Sequence, residues 1–130
     1  MKYTEARTAL RVLLVEDSPR IAERIRDLLQ TEVGAEVVYV AADEQGAIRA
    51  AQDCDADVMI LDLQLRRGTG FGVLKALGSV RPTTIIMTNY ALPQYRAKAM
   101  NLGVEYFLDK SVDFERLPEI FDEISSQRSA

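Results

Sequence analysis

With 130 residues, 48% hydrophobic and 28% charged, the chain has the length and composition of one ordinary globular domain. A net charge of −4 argues against general nucleic-acid binding, which needs a basic face, although a local basic patch stays open. There is no histidine, which rules out imidazole catalysis and histidine-ligated metal, and the single cysteine, Cys54, can form neither an internal disulfide nor a thiolate cluster. The opening residues carry no signal-peptide apolar core and no apolar run reaches membrane-spanning length, so the chain reads as cytosolic with no membrane insertion.

Short apolar runs alternate with helical patterns from the start. Residues 10–15 read as a buried strand, with Val12, Leu13, Leu14 and Val15 continuous. Ser18 and Pro19 then supply a cap and a first helical residue, Ile21, Ile25, Leu28 and Leu29 follow at helical spacing, and Gly34 marks the stop. Residues 36–40 form the second strand. Asp43 caps a helix to about Asp53, with Ala47, Ile48 and Ala51 as its inner face. The third strand, 58–61, leads into a loop over 63–70 and a short helix carrying Phe71, Val73, Leu74 and Leu77, ended by Gly78. Residues 83–87 are the fourth strand, Pro93 opens a helix to Gly103, and 104–108 are the fifth strand. A last helix buries Leu117, Ile120, Phe121 and Ile124. Pro118 fits it only in the first turn, so the helix starts near Asp113 or Phe114. The residues from Ser125 to Ala130 read as a polar tail.

Strands apolar on both faces, each followed by a helix, indicate a parallel sheet covered on both sides, with its ligand site outside the carboxyl ends of the strands. The chemistry collects at those ends. The first run closes in Glu16 and Asp17, the third in Asp62, the fourth in Thr88, and the fifth in Asp109 and Lys110. Three carboxylates, a hydroxyl and an ammonium at one edge suit a site that holds a divalent metal and accepts a phosphoryl group on Asp62. Singly, each residue has a plainer reading: Asp17 and Ser18 as caps, Asp62 as a loop entry, Thr88 as a strand end, Lys110 as a solvated charge.

In this order and spacing, the run Val15-Glu16-Asp17-Ser18, Asp62 with Gly70 eight residues on, Met87-Thr88, and Gly103 through Lys110 resemble a response-regulator receiver domain of two-component signalling. The resemblance covers about residues 9 to 126. It implies a doubly wound, flavodoxin-like α/β fold, a five-stranded parallel sheet in the order 2-1-3-4-5 with helices on both faces. It makes Asp62 the phosphoacceptor and gives Mg²⁺ to Asp17, to Glu16 through a metal-bound water, to Asp62 and to the backbone carbonyl of Gln64. Lys110 pairs with Asp62 and then with the phosphoryl group, and Thr88 donates its hydroxyl to that group. Phe107 takes the place of the family's switch aromatic, acting by packing or else standing as a fixed core residue.

The implied partners are a sensor histidine kinase or phosphotransfer protein, docking on the first helix, and a downstream protein target, with a phosphorylation-linked dimer left open. With no effector pattern after the core, residues 1–130 read as a single stand-alone receiver that does not contact nucleic acid. Two positions depart from the family pattern: Ser111 follows Lys110 where proline is usual, and Arg66 replaces a frequent proline. Two other classes stay open. A receiver-like interaction module would bind its partner without phosphorylation. An aspartate-based phosphohydrolase would need a second acid two residues after Asp62, where Gln64 stands, so self-catalysed acceptance and slow self-dephosphorylation are expected in place of turnover.

Overall fold

The structure, a computed structural model, describes residues 9–129. The readings placed on residues 1–8 and on Ala130 lie outside the described residues. Five strands, β1 (Arg11–Val15), β2 (Glu36–Ala41), β3 (Val58–Leu61), β4 (Thr83–Thr88) and β5 (Tyr106–Asp109), form one parallel sheet in the order β2-β1-β3-β4-β5. Five helices connect and flank them: α1 (Pro19–Leu28), α2 (Glu44–Asp53), α3 (Gly70–Leu77), α4 (Pro93–Asn101) and α5 (Leu117–Ser129).

Strand alternation divides the interior in two. Val12, Leu14, Val58, Ile60, Ile85, Met87 and Leu108 face a core completed by α1 and α5 through Ile25, Leu117, Ile120, Phe121 and Ile124. Leu13, Val15, Met59, Leu61, Ile86 and Phe107 face the other core, closed by Ala47 and Ala50 of α2, Val73 and Leu74 of α3 and Ala99 of α4. Each fully buried leucine or isoleucine contributes about 1.5–3 kcal/mol of transfer free energy, and the three central strands are buried along almost their whole length.

The caps behave as their chemistry dictates. Ser18 Oγ accepts from the Ile21 N–H at 3.3 Å, Asp43 Oδ1 from Gly46 at 2.8 Å, and Thr69 Oγ1 from Gly72 at 3.0 Å. Four details differ from the sequence expectation. The first helix does not run unbroken to Gly34: after Leu28 the chain widens into a π-helical turn, Leu29–Val33, before Gly34 ends it at φ 72°. The buried face of α2 is Ala47 and Ala50, while Ile48 and Ala51 lie half-buried on its flank. Alanine three residues apart lets the helix axis approach the sheet, and the bulkier Ile48 is turned aside. Val104 is not yet in β5, because its N–H still bonds Ala99 O at 3.1 Å in the closing turn of α4. The polar segment from Ser125 continues α5, preceded by a 3₁₀ turn at Phe114–Arg116, and Arg128 bonds Asp57 Oδ1 at 2.8 Å. That ion pair gives the last turn of the helix an anchor that composition does not disclose.

Candidate functional site

Three strands extend their backbone ladder by one residue past the sheet, and this places the chemistry. Glu16 N–H donates to Ala41 O at 2.9 Å, Asp62 N–H to Val15 O at 3.1 Å, and Lys110 N–H to Thr88 O at 2.9 Å. The parallel register therefore sets Glu16, Asp62 and Lys110 on one edge, above β1, β3 and β5. Gly70 closes the loop behind Asp62 with an N–H bond to Leu63 O at 3.0 Å. A side chain at Gly70 would collide with the backbone carbonyl of Asp62, so the close return of the chain requires glycine there.

Lys110 Nζ lies 2.7 Å from Asp62 Oδ2 and 2.7 Å from Glu16 Oε1. All three side chains are nearly inaccessible, at 8%, 7% and 3% relative exposure for Lys110, Asp62 and Glu16. The other oxygens are also engaged: Asp62 Oδ1 accepts from the Gln64 N–H at 3.3 Å and Glu16 Oε2 from the Ser18 N–H at 3.1 Å. Half-buried Asp17 completes an acidic group in which one oxygen each of Glu16, Asp17 and Asp62 lies within 4.8 Å of the others. Burial pushes the Glu16 carboxyl above its ordinary range; the bond and charge of Lys110 and the Ser18 N–H pull against that, and Asp62 adds to it. Burial alone would lower Lys110, but its bonds to Asp62 and Glu16, with their charges, outweigh it and raise the ammonium above its ordinary value. Three carboxylates facing one ammonium leave the pocket short of positive charge. Hard oxygen donors in that state suit a small divalent cation such as Mg²⁺.

Thr88 is fully buried at the end of β4, where its Oγ1 accepts from the Tyr90 N–H at 3.0 Å. Phe107 pairs with Ile86 across β4 and β5 and points into the second core, with 3% exposure. Tyr106 lies on the opposite face, as alternation predicts, and its hydroxyl donates to Glu123. Gln64 is exposed at the head of the loop and bridges Thr69.

Two features escaped the sequence. The ammonium of Lys110 is shared between Asp62 and Glu16, which depends on the distance between strand ends. The guanidinium of Arg96, from α4, lies 4.8 Å from the Phe107 ring centroid and donates to Phe107 O at 3.4 Å, and no spacing signal links the two. After Lys110, where the family has proline, Ser111 N–H and Oγ donate to Asp109 Oδ1 at 2.8 and 2.6 Å, and Asp109 N–H donates to Asp113 Oδ2 at 2.9 Å. Among the described residues no peptide bond is cis, so these bonds shape the turn.

Comparison with known proteins agrees with this architecture. The family model described as the response regulator receiver domain matches residues 12–122. The chain is 33% identical over 114 residues to the nitrate/nitrite response regulator protein NarP of Escherichia coli K12, covering 86% of this chain and 53% of that protein. It is also 33% identical over 107 residues to a protein-glutamate methylesterase/protein-glutamine glutaminase of Xanthomonas oryzae, covering 79% of this chain and 30% of the relative. The chain thus spans about half or less of the length of these relatives. Among solved structures, the REC domain of AraT, a response regulator from Geobacillus stearothermophilus, superposes with a TM-score of 0.80 at 27% identity, covering 93% of this chain and 96% of that one. No described helix is long and apolar enough to cross a membrane. The sheet order, the acidic edge and these matches agree: the chain belongs to the response regulator receiver domain family of two-component signalling.

Proposed function

We propose that this chain is a phosphoacceptor switch in which Asp62 takes a phosphoryl group from a histidine kinase or phosphotransfer protein. The observation that carries the reading is the doubly paired Lys110, held 2.7 Å from both Asp62 and Glu16 with Asp17 alongside. An oxygen of Asp62 forms the new bond to phosphorus as the bond to the donor's leaving atom breaks in line. Lys110, already on Asp62 Oδ2, neutralises part of the charge at that carboxylate and is placed to follow it onto the phosphoryl oxygens. Glu16, Asp17, Asp62 and the backbone carbonyl of Gln64 would hold Mg²⁺, which when bound neutralises the phosphoryl oxygens and orients them for attack.

Modification replaces one carboxylate charge by about −1.5 to −2. The Thr88 hydroxyl can donate to the added oxygens while still accepting from Tyr90, so its answer to phosphorylation draws the β4–α4 connection with it. Phe107 beneath it has no hydroxyl, and its part in the switch is packing within the second core. The surface of α4, β5 and α5 is then the output face, and a population shift between two arrangements conveys the signal to a protein target.

The test is intact mass after incubation with acetyl phosphate and Mg²⁺. The wild type gains one phosphoryl group, Asp62→Asn gains none, and chelation abolishes the gain. A gain that persists in Asp62→Asn would remove the central residue from the reading.

A further inference from the structure

The loop that follows Asp62 is held from outside the site, by the connection between β2 and α2. Glu44, the first residue of α2, reaches across with its carboxylate, and Oε1 accepts from the Thr69 N–H at 2.9 Å. Its own backbone N–H donates to Arg67 O at 2.9 Å, and Arg66 N–H donates to Ala42 O at 3.4 Å. The loop is shaped around this one side chain. At Gly72 and at Gly68, the latter at φ 91°, an added Cβ would overlap the Glu44 carboxylate. Thr69, the residue Glu44 holds, also caps α3 and bridges Gln64, and Gln64 N–H donates to Asp62 Oδ1 at 3.3 Å.

We propose that Glu44 is a positioning residue for the metal site: by pinning Thr69 it fixes the loop so that Gln64 is preset beside Asp62. This rests on the phosphoacceptor reading above, in which the Gln64 carbonyl serves the metal. Loops are the mobile parts of a fold, and a ligand that must order one binds more weakly than a ligand that finds it ordered. Partners that orient metal ligands are commonly worth tenfold or more in affinity. Glu44 supplies that ordering through a hydrogen bond to the backbone and needs no contact with the ion. A carboxylate over a helix N-terminus also favours the helix itself. That role alone would change stability and leave metal affinity where it was.

The experiment measures Mg²⁺ dissociation constants by calorimetry, together with amide hydrogen exchange at Arg66 and Thr69 in metal-free protein. It compares wild type, Glu44→Ala, Glu44→Gln, Gly72→Ala and, as a control, Asp17→Asn. Glu44→Ala should bind Mg²⁺ about tenfold more weakly, with faster exchange at both amides. Glu44→Gln, whose Oε1 still accepts from Thr69, should stay near wild type, and Gly72→Ala, which crowds the carboxylate from the α3 side, should behave like Glu44→Ala. Unchanged affinity in folded Glu44→Ala overturns the role, and so does an equal loss in Glu44→Gln, which would point to charge alone. A wild type that binds no Mg²⁺ overturns the metal reading itself, a failure distinct from a wild type and Glu44→Ala that bind equally well.

Discussion

Lys110 is the residue on which the electrostatics of the edge turns, because two nearly buried carboxylates share its one ammonium. Breaking a buried pair by deleting one partner leaves charge uncompensated, so Lys110→Met should lose about 3 kcal/mol of stability in metal-free urea denaturation at neutral pH. The same substitution removes the positive charge that competes with a cation for these oxygens. Mg²⁺ should therefore bind Lys110→Met more tightly than wild type and recover much of the lost stability, even as phosphoryl acceptance slows. If added Mg²⁺ leaves the deficit of Lys110→Met as large as before, the ammonium and the ion do not share a site. Thr88 illustrates a different limit on substitution. Its hydroxyl, at a fully buried position, accepts from the Tyr90 N–H, so valine would remove both a donor from the site and the partner of that N–H, whereas serine keeps the hydroxyl.

Between elements, the contacts that matter join β5 to its two flanking helices. Arg96 of α4 covers the Phe107 ring at 4.8 Å, and a double-mutant cycle with Arg96→Ala and Phe107→Leu should return a coupling of about 0.5–1 kcal/mol. A coupling of zero would mean that the guanidinium merely rests on the ring. On the other side, the Tyr106 hydroxyl donates to Glu123 of α5. Burial first, then that bond and the charges of Glu123 and Glu105, push the phenol from 10.0 up to about 12. A group raised in this way contributes stability that is complete below its unfolded value and lost as pH rises through its folded one. The margin of wild type over Tyr106→Phe should hold steady to about pH 10 and shrink toward pH 12, measured by denaturant unfolding at each pH. A margin that ignores pH would disconnect the bond from stability. These couplings were not legible in the sequence, although the elements were. Apolar runs, Ser18, Asp43 and Pro93 mark strands and helix starts by local chemistry alone. The face of α2, the π turn at Leu29–Val33, the late start of β5 and the helical course of the residues after Ser125 are decided by what each packs against, and local patterns do not carry that.

Over the whole molecule, parallel topology converts strand ends scattered along the sequence into one edge, which is why the sequence alone groups Glu16, Asp17, Asp62 and Lys110. The second contact of Lys110, to Glu16, is not legible there, since it depends on the reach of Lys110 from β5 across to β1 as well as β3. The same edge should make stability depend on a cation. Glu16, Asp17 and Asp62 crowd their oxygens within 4.8 Å of one another against a single ammonium, and unfolding disperses them. An ion that binds the folded edge and not the open chain stabilises by about 2.7 kcal/mol when present at roughly a hundred times its dissociation constant. For a domain of this size each kcal/mol corresponds to about 4 °C in melting temperature, so saturating Mg²⁺ should raise the transition by about 10 °C. Asp17→Asn removes one of the three carboxylates and also relieves part of their repulsion. That variant should melt at or above the wild type without metal and respond little to Mg²⁺, so that the two curves cross as metal is added. Parallel curves, or a wild type indifferent to millimolar Mg²⁺, would mean that the acidic edge is a repulsion the fold tolerates and not a site for a cation.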